Sequence, residues 1–337
     1  MSNQMNSRMK YQKGWVLLSC LIVISLFLSG CGALQPAKVY RVGILSGLSA
    51  FSPAVDGFKS EMTTLGYVEG KNITYDVQSS EFDLPAYKAA IKKFMDEKVD
   101  LIFAFPTEAA MEAKTATQGT NIPIVFALAF TDIPGMNLIQ SIAAPGGNIT
   151  GVRFPSTEIA SKRLQILLEM VPTAKRIFVP YGKGYPNALV QLDVIRPQAK
   201  ARGVELIEFG VASPQDLQAK LDGFVSPDGV GIDAVLMIAE PLGVTPELAK
   251  FCFDHQIPIG GDLTTLENGS MFALLPQPGV TGQQAARLAA KILRGTPAGT
   301  IPVVSSDSFF QINYKTAKAL GVTVPDGLLK QADQIIR

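Results

Sequence analysis

The residues of this chain that could do chemistry are oxygens and phenols placed just after apolar runs. Ser46, Ser49 and Ser52 follow the run 39–45, and Thr107 and Glu108 follow 99–105. Asp132 follows 122–128, Tyr181 and Tyr185 follow 176–180, Glu240 follows 234–238, and Asp262 follows 257–259. Serine and threonine before a helix, with the backbone N–H groups of its first turn, hold a carboxylate without any basic side chain. Asp132, Glu108, Glu240 and Asp262 can accept from an ammonium. Phe51, Tyr181 and Tyr185 can cover an apolar or aromatic ligand face. The set therefore suits capture of a zwitterionic small solute. The same residue types have other readings. Ser46, Ser52, Thr107 and Asp132 also suit helix N-caps, Glu108 suits a first-turn carboxylate, and the tyrosines suit rim packing.

Covalent and metal chemistry have little to work with. No GxSxG or HExxH occurs, and His255 is the only histidine. The glycine-rich stretch Gly146-Gly147 is a turn, since neither GxGxxG nor GxxxxGK[ST] is present. Neither an enzyme, a cofactor nor a metal site is expected.

The elements that must position these oxygens alternate in type. Residues 99–128 read as strand, polar loop, alanine-rich helix and strand, a βαβ unit that feeds a parallel sheet. Ligands of such sheets lie beyond the carboxyl ends of the strands, where the loops at 106–108 and 129–133 fall. Strands are expected at 39–45, 73–78 and, briefly, 139–142, with helices at 53–65 and 84–97. The alternation restarts at 156 with a helix to 170. Strands follow at 176–180, 204–209, 234–238, 257–259, 271–275 and 309–312. Helices are expected at 188–202, bent or broken near Pro197, and at 214–224, 246–255, 281–293 and 314–320. His255 then caps a helix C-terminus, and Cys252 is a buried apolar residue.

The expected fold class is α/β: two doubly wound parallel-sheet lobes joined by a three-strand hinge. The first lobe takes 39–150 plus 276–303, and the second takes 151–275 plus 304–337. Two lobes on several linkers form a cleft that closes around a ligand.

The first thirty residues are a leader. Arg8, Lys10 and Lys13 precede an apolar stretch at 15–28, too short for the ~20 residues of a spanning helix. Leu28-Ser29-Gly30-Cys31 resembles a bacterial lipobox. Residues 1–30 are expected to be removed as a signal peptide, and 31–38 to remain as a tether. Acyl chains such as palmitate on Cys31 would then hold the protein to the extracytoplasmic face of a bacterial membrane. Removal of the leader takes 30 basic residues to 27 against 29 acidic, a net charge of −2. A near-neutral surface without a basic cluster argues against nucleic acid. With Cys20 lost and Cys31 acylated, Cys252 has no partner for an internal disulfide.

Several stretches resemble the extracytoplasmic substrate-binding proteins of ABC importers. They are Val42-Gly43-Ile44-Leu45, Leu65-Gly66-Tyr67-Val68-Glu69-Gly70-Lys71-Asn72-Ile73, Ile122-Pro123-Ile124-Val125-Phe126, Pro145-Gly146-Gly147-Asn148-Ile149-Thr150-Gly151-Val152 and Lys162-Arg163-Leu164. The closer resemblance is to the subfamily with aromatic amino acid (tryptophan-type) receptors, which have the type I periplasmic binding protein fold. The resemblance implies a monomer that delivers a small solute to an ABC permease. The chain departs from that pattern at Glu108, where a small residue or proline is usual, so tryptophan is not carried over as the ligand. It also departs at Thr131-Asp132-Ile133-Pro134, which keeps the aspartate and changes the residue after it. A ligand-sensing partner of a membrane receptor or kinase would use the same cleft without transport.

Overall fold

Leu101–Phe105 reads LIFAF and Ile124–Ala129 reads IVFALA, and every residue of both is buried. Strands apolar on both faces belong inside a parallel sheet covered by helices on each side. The computed structural model describes residues 38–240, 242–261 and 269–337 and places both runs in such a sheet. Cys31, the signal peptide, most of the tether and Asp262 lie outside the described residues.

The first half of the chain comprises β1 (Tyr40–Ser46), α1 (Ser52–Thr64), β2 (Ile73–Ser79), α2 (Leu84–Asp96), β3 (Leu101–Phe105), α3 (Thr107–Ala116), β4 (Ile124–Ala129) and β5 (Ile149–Arg153). The second comprises α4 (Ser156–Met170), β6 (Arg176–Gly182), α5 (Pro186–Ala201), β7 (Glu205–Val211), α6 (Pro214–Asp222), the hairpin β8 (Val225–Ser226) and β9 (Gly229–Val230), and β10 (Ala234–Leu236). Next come α7 (Pro246–Asp254), β11 (Ile259–Gly260), β12 (Phe272–Pro276), α8 (Pro278–Leu293), β13 (Val304–Ser305) and β14 (Ser308–Asn313). The chain closes with α9 (Tyr314–Ala319), α10 (Asp326–Gln331) and β15 (Gln334–Ile336).

Two parallel sheets result. The first has the order β13-β5-β4-β3-β1-β2, with every neighbouring pair parallel. The second has the order β11-β10-β6-β7, also parallel throughout. A third sheet, β12-β14-β15, adds the antiparallel pair β12–β14. The first sheet carries a core on each face. Phe58, Phe103 and Ala286 lie in one, Phe94, Ile102 and Ala113 in the other. The second lobe gathers α4, α5 and α6 around Phe178, Val235 and Leu217. The chain crosses between the sheets beyond β5, beyond β12 and beyond β13.

Helix α8 comes from the second lobe's strand β12 and packs on α1 of the first lobe. Its approach is close because both faces are small. A Cβ added at Gly282 would stand 2.1 Å from the Ala54 carbonyl oxygen, and one at Gly57 would stand 2.0 Å from that of Gly279. These glycines let the returning helix rejoin the first lobe.

Some expectations fail locally. Residues 139–142 form no strand; Ser141 Oγ is bonded within its own turn, to the Ala144 N–H and C=O. The sheet position beside β5 goes to β13 instead, a two-residue strand too short to carry a period. Helix α5 runs through Pro197 without the expected break. His255 does occupy the C-cap of α7, its ring against Phe251 at 4.7 Å, and Cys252 is buried and free. Burial pushes the Cys252 thiol up to about 12.

Candidate functional site

The carboxyl ends of β1, β3 and β4 are laced together. The Gly47 N–H donates to the Phe105 carbonyl at 2.7 Å, and Ser80 donates to the Ser46 carbonyl through its N–H and its Oγ. Ser46 is buried, and its Oγ donates to the Leu48 carbonyl at 3.2 Å, so it braces a loop and does not cap a helix. Thr107 is buried too. Its Oγ1 accepts from the Phe130 N–H at 3.0 Å, tying the 106–108 loop to the 129–133 loop. Ser52 opens α1 behind the N-cap Phe51, whose ring packs partly on the first-lobe core. Ser49 and Ser52 are exposed, and the Ser49 N–H donates to Glu81 Oε1 at 2.9 Å. The capping readings of Ser46, Ser52 and Thr107 are therefore not what the side chains do.

Glu108 stands exposed in the first turn of α3, where the helix dipole favours negative charge. Asp132 reaches across to the helix that begins the second lobe. Its Oδ2 lies 3.4 Å from Ser156 Oγ and 3.3 Å from Thr157 Oγ1, at the start of α4. Its Oδ1 is buried with no hydrogen-bond partner among the described residues.

On the second lobe a buried amide pair shapes the end of β10. Gln191 accepts from the Ala239 N–H and donates to its carbonyl, both at 2.8 Å. Asn187 donates to the same carbonyl at 3.0 Å, while its Oδ1 lies 3.0 Å from Ser156 Oγ. Fixed in this way, the chain presents Glu240, only 3% exposed, whose Oε2 accepts from the Gly182 N–H at 3.0 Å.

Aromatic rings close one side. Tyr185 meets Phe130 edge-on at 6.4 Å, and Phe130 meets Phe154 edge-on at 5.4 Å, so the row runs from one lobe to the other. The Tyr185 phenol is raised well above its ordinary range by burial first, then by Glu108 and Glu240. Tyr87 of α2 is raised by burial, and its hydroxyl, beside Ser80 and near Glu108 and Glu81, makes no hydrogen bond of ordinary geometry. Arg153, at the end of β5, is engaged by Glu158. Burial alone would raise the Glu158 carboxyl, but hydrogen bonds from Arg153, its own backbone N–H and Thr157 hold it below the ordinary range.

Glu108 and Glu240 both act on the Tyr185 phenol, Asp132 contacts the start of α4, and Thr107 and Ser46 brace the loops at the strand ends. Tyr181 turns aside, its ring against Gly210 of β7. Reading the sequence missed Ser156, Asn187, Phe130 and Tyr87. Ser156 and Asn187 carried the same signal as Ser52, a polar residue where a helix starts, whereas Phe130 and Tyr87 read as core. A groove of about 580 Å³ lined by Lys114, Thr120 and Thr296 lies elsewhere, at the amino ends of β4 and β5, away from these groups.

The arrangement offers carboxylate acceptors, an aromatic wall and backbone donors at the carboxyl ends of two parallel sheets. No group of three or more metal-ligating side chains occurs among the described residues, and none of their helices is long and apolar enough to cross a membrane. Over residues 42–336 the chain matches the family described as ABC transporter substrate binding protein. It is 30% identical over 272 residues to the tyrosine-binding protein of Clostridioides difficile (strain R20291), covering 79% of this chain and 76% of that protein. Its fold is similar to the ligand-free, open structure of a substrate-binding protein with adhesive properties from Clostridium difficile. There the TM-score is 0.75 at 26% identity, over 88% of this chain and 99% of the other. The ABC domain in complex with L-Trp from Streptococcus pneumonia is also similar, with TM-score 0.73 and 23% identity over 89% of this chain and 100% of the other.

Proposed function

The chain belongs to the family of ABC transporter substrate-binding proteins, and from that premise we propose that it captures an amino acid between its lobes for delivery to a membrane permease. The observation that carries this reading is Asp132, whose Oδ1 is buried without a hydrogen-bond partner among the described residues while its Oδ2 reaches the start of the second lobe's first helix. An amino acid needs donors for its carboxylate and acceptors for its ammonium. The backbone N–H groups at the starts of α1 and α3 suit the carboxylate. Asp132, Glu108 and Glu240 suit the ammonium, and Asp132 Oδ1 has no hydrogen bond to give up. Ser49, Ser52 and Tyr181 stay at the rim of the proposed site. Relatives that bind tyrosine and L-Trp support the ligand class.

Closure would turn on the crossings at 154–155, 277 and 306–307, a few residues past the limits expected from the sequence. The family context supports an extracytoplasmic monomer without catalytic activity. The lipobox at Leu28-Ser29-Gly30-Cys31 supports a signal peptide ahead of an acylated Cys31. Thermal melting in the presence of each L-amino acid tests the reading. Ligand at a hundred times its Kd stabilises the folded state by about 2.7 kcal/mol, a readable rise in Tm. A melting point unmoved by every amino acid would refute the assignment.

A further inference from the structure

The first lobe carries backbone strain that does not serve its core. Just beyond β2, Glu81 and Phe82 are consecutive residues with φ of 45° and 61°. Left-handed backbone is unfavourable for any L-residue, and most of all for one with a bulky side chain. Several bonds hold the turn in this shape. The Phe82 N–H donates to the Gly47 carbonyl at 2.8 Å, and the Asp83 N–H donates to the Ser80 carbonyl at 2.7 Å. Glu81 Oε1 accepts from the Ser49 N–H at 2.9 Å and from Ser79 Oγ at 3.1 Å. The result is an aromatic ring held out in water: Phe82 is 47% exposed, and Leu84 is exposed beside it. Burial of so exposed a ring cannot offset the strain. Strain of this kind persists where its surroundings over-determine it, and it clusters at ligand clamps.

The place suits a clamp. Gly47, which accepts from Phe82, donates in turn to the Phe105 carbonyl, so the turn adjoins the loops that follow β1 and β3. β2 is the edge of the first sheet opposite β5 and β13, beyond which the chain crosses between lobes. Closure about those crossings moves that far edge the most, and it carries Phe82 toward whatever lies at the strand ends.

We infer that Phe82 is a specificity residue: in the closed protein its ring covers the side chain of the bound amino acid at the mouth of the cleft. A large apolar side chain reaches the ring and a small one does not. The inference rests on the amino-acid reading above and sharpens it. Ring and side chain then leave water together, and that gain offsets the strain of the turn.

Calorimetric titration of the full-length protein in detergent with L-phenylalanine and L-alanine, beside thermal melts, tests this. Phe82→Asn removes the ring and supplies a residue that tolerates positive φ. It should weaken L-phenylalanine binding about tenfold, the scale of an aromatic contact, and leave the L-alanine affinity within about twofold. The same variant should melt no lower than the native protein, because strain is relieved and the lost ring is half exposed. Phe82→Tyr should hold the L-phenylalanine affinity within about twofold. An unchanged L-phenylalanine affinity in Phe82→Asn, an equal loss for both probes, or a melting point that falls along with affinity overturns the inference and leaves the amino-acid reading standing. So does a native protein that binds other amino acids but not L-phenylalanine. If no amino acid binds or moves the melting point, the amino-acid reading falls and this inference falls with it.

Discussion

Replacing Arg163 by methionine tests how the second lobe holds its strand ends in place. The guanidinium is fully buried and, among the hydrogen bonds described, donates from Nε and Nη2 to the Leu274 carbonyl at 3.0 and 2.8 Å and from Nη1 to the Met237 carbonyl at 3.1 Å. It thus joins α4 to β12 just before the crossing into α8, and to the segment that leads into Glu240. Methionine fills much of the same volume, so the loss is polar and not a cavity. A buried ion can often be exchanged for an apolar side chain when its partners are exchanged with it. Here the partners are main-chain carbonyls, which no side-chain substitution removes. Each carbonyl left unsatisfied costs about 1–3 kcal/mol, so the two together cost about 2–6 kcal/mol. For a folded chain of about 300 residues that corresponds to a fall in Tm of roughly 3–10 °C. Circular dichroism melts and urea titrations of the two proteins read it directly. A loss below about 1 kcal/mol would refute the claim that the guanidinium satisfies these carbonyls.

The remaining predictions concern the returning helix and the membrane anchor. Gly282→Ala drives a Cβ to 2.1 Å from the Ala54 carbonyl oxygen, whereas Gly279→Ala places one 3.5 Å from the Pro53 carbonyl oxygen. The first should cost about 2–3 kcal/mol by overpacking and the second should be nearly neutral, so equal melting points would sink the close-packing account of α1 and α8. Cys31→Ser should move the protein from the membrane pellet to the soluble fraction after cell lysis, and retention in the pellet would remove the lipid anchor from the proposal.

Much of the fold could be read from the sequence because burial on both faces leaves long, uninterrupted signals. The runs 99–105 and 122–128 became β3 and β4 with shifts of a residue or two, and the helix expected at 156–170 is α4. Short elements were not legible. β13 owes its place to parallel pairing with β5 and not to its own two residues, and β8 and β9 form a hairpin of similar brevity. For the proposed site, sequence could say which loops lie at the carboxyl ends of the strands but not where a hydroxyl turns. Thr107 looked like a cap, yet its Oγ1 accepts from Phe130 N–H because β4 ends beside it in the sheet. Asn187 carried a helix-start signal, but its bonds were not legible because its partners, Ser156 and Ala239, lie 31 and 52 residues away.

Asp132 is where the site and the hinge meet. One of its oxygens already faces the hydroxyls of Ser156 and Thr157, which begin the second lobe, and the other is bare. A carboxylate accepts through both oxygens, so binding an ammonium at Oδ1 does not require releasing the contact at Oδ2. The solute would therefore join a chain that runs from the first-lobe loop through Ser156 to Asn187 and the Ala239 carbonyl beside Glu240. A ligand held at Asp132 and Glu240 together bridges that chain at both ends. A ligand shifts a two-state equilibrium by no more than its difference in affinity for the two states. The bare oxygen of Asp132 and the buried carboxylate of Glu240 are the groups able to supply that difference.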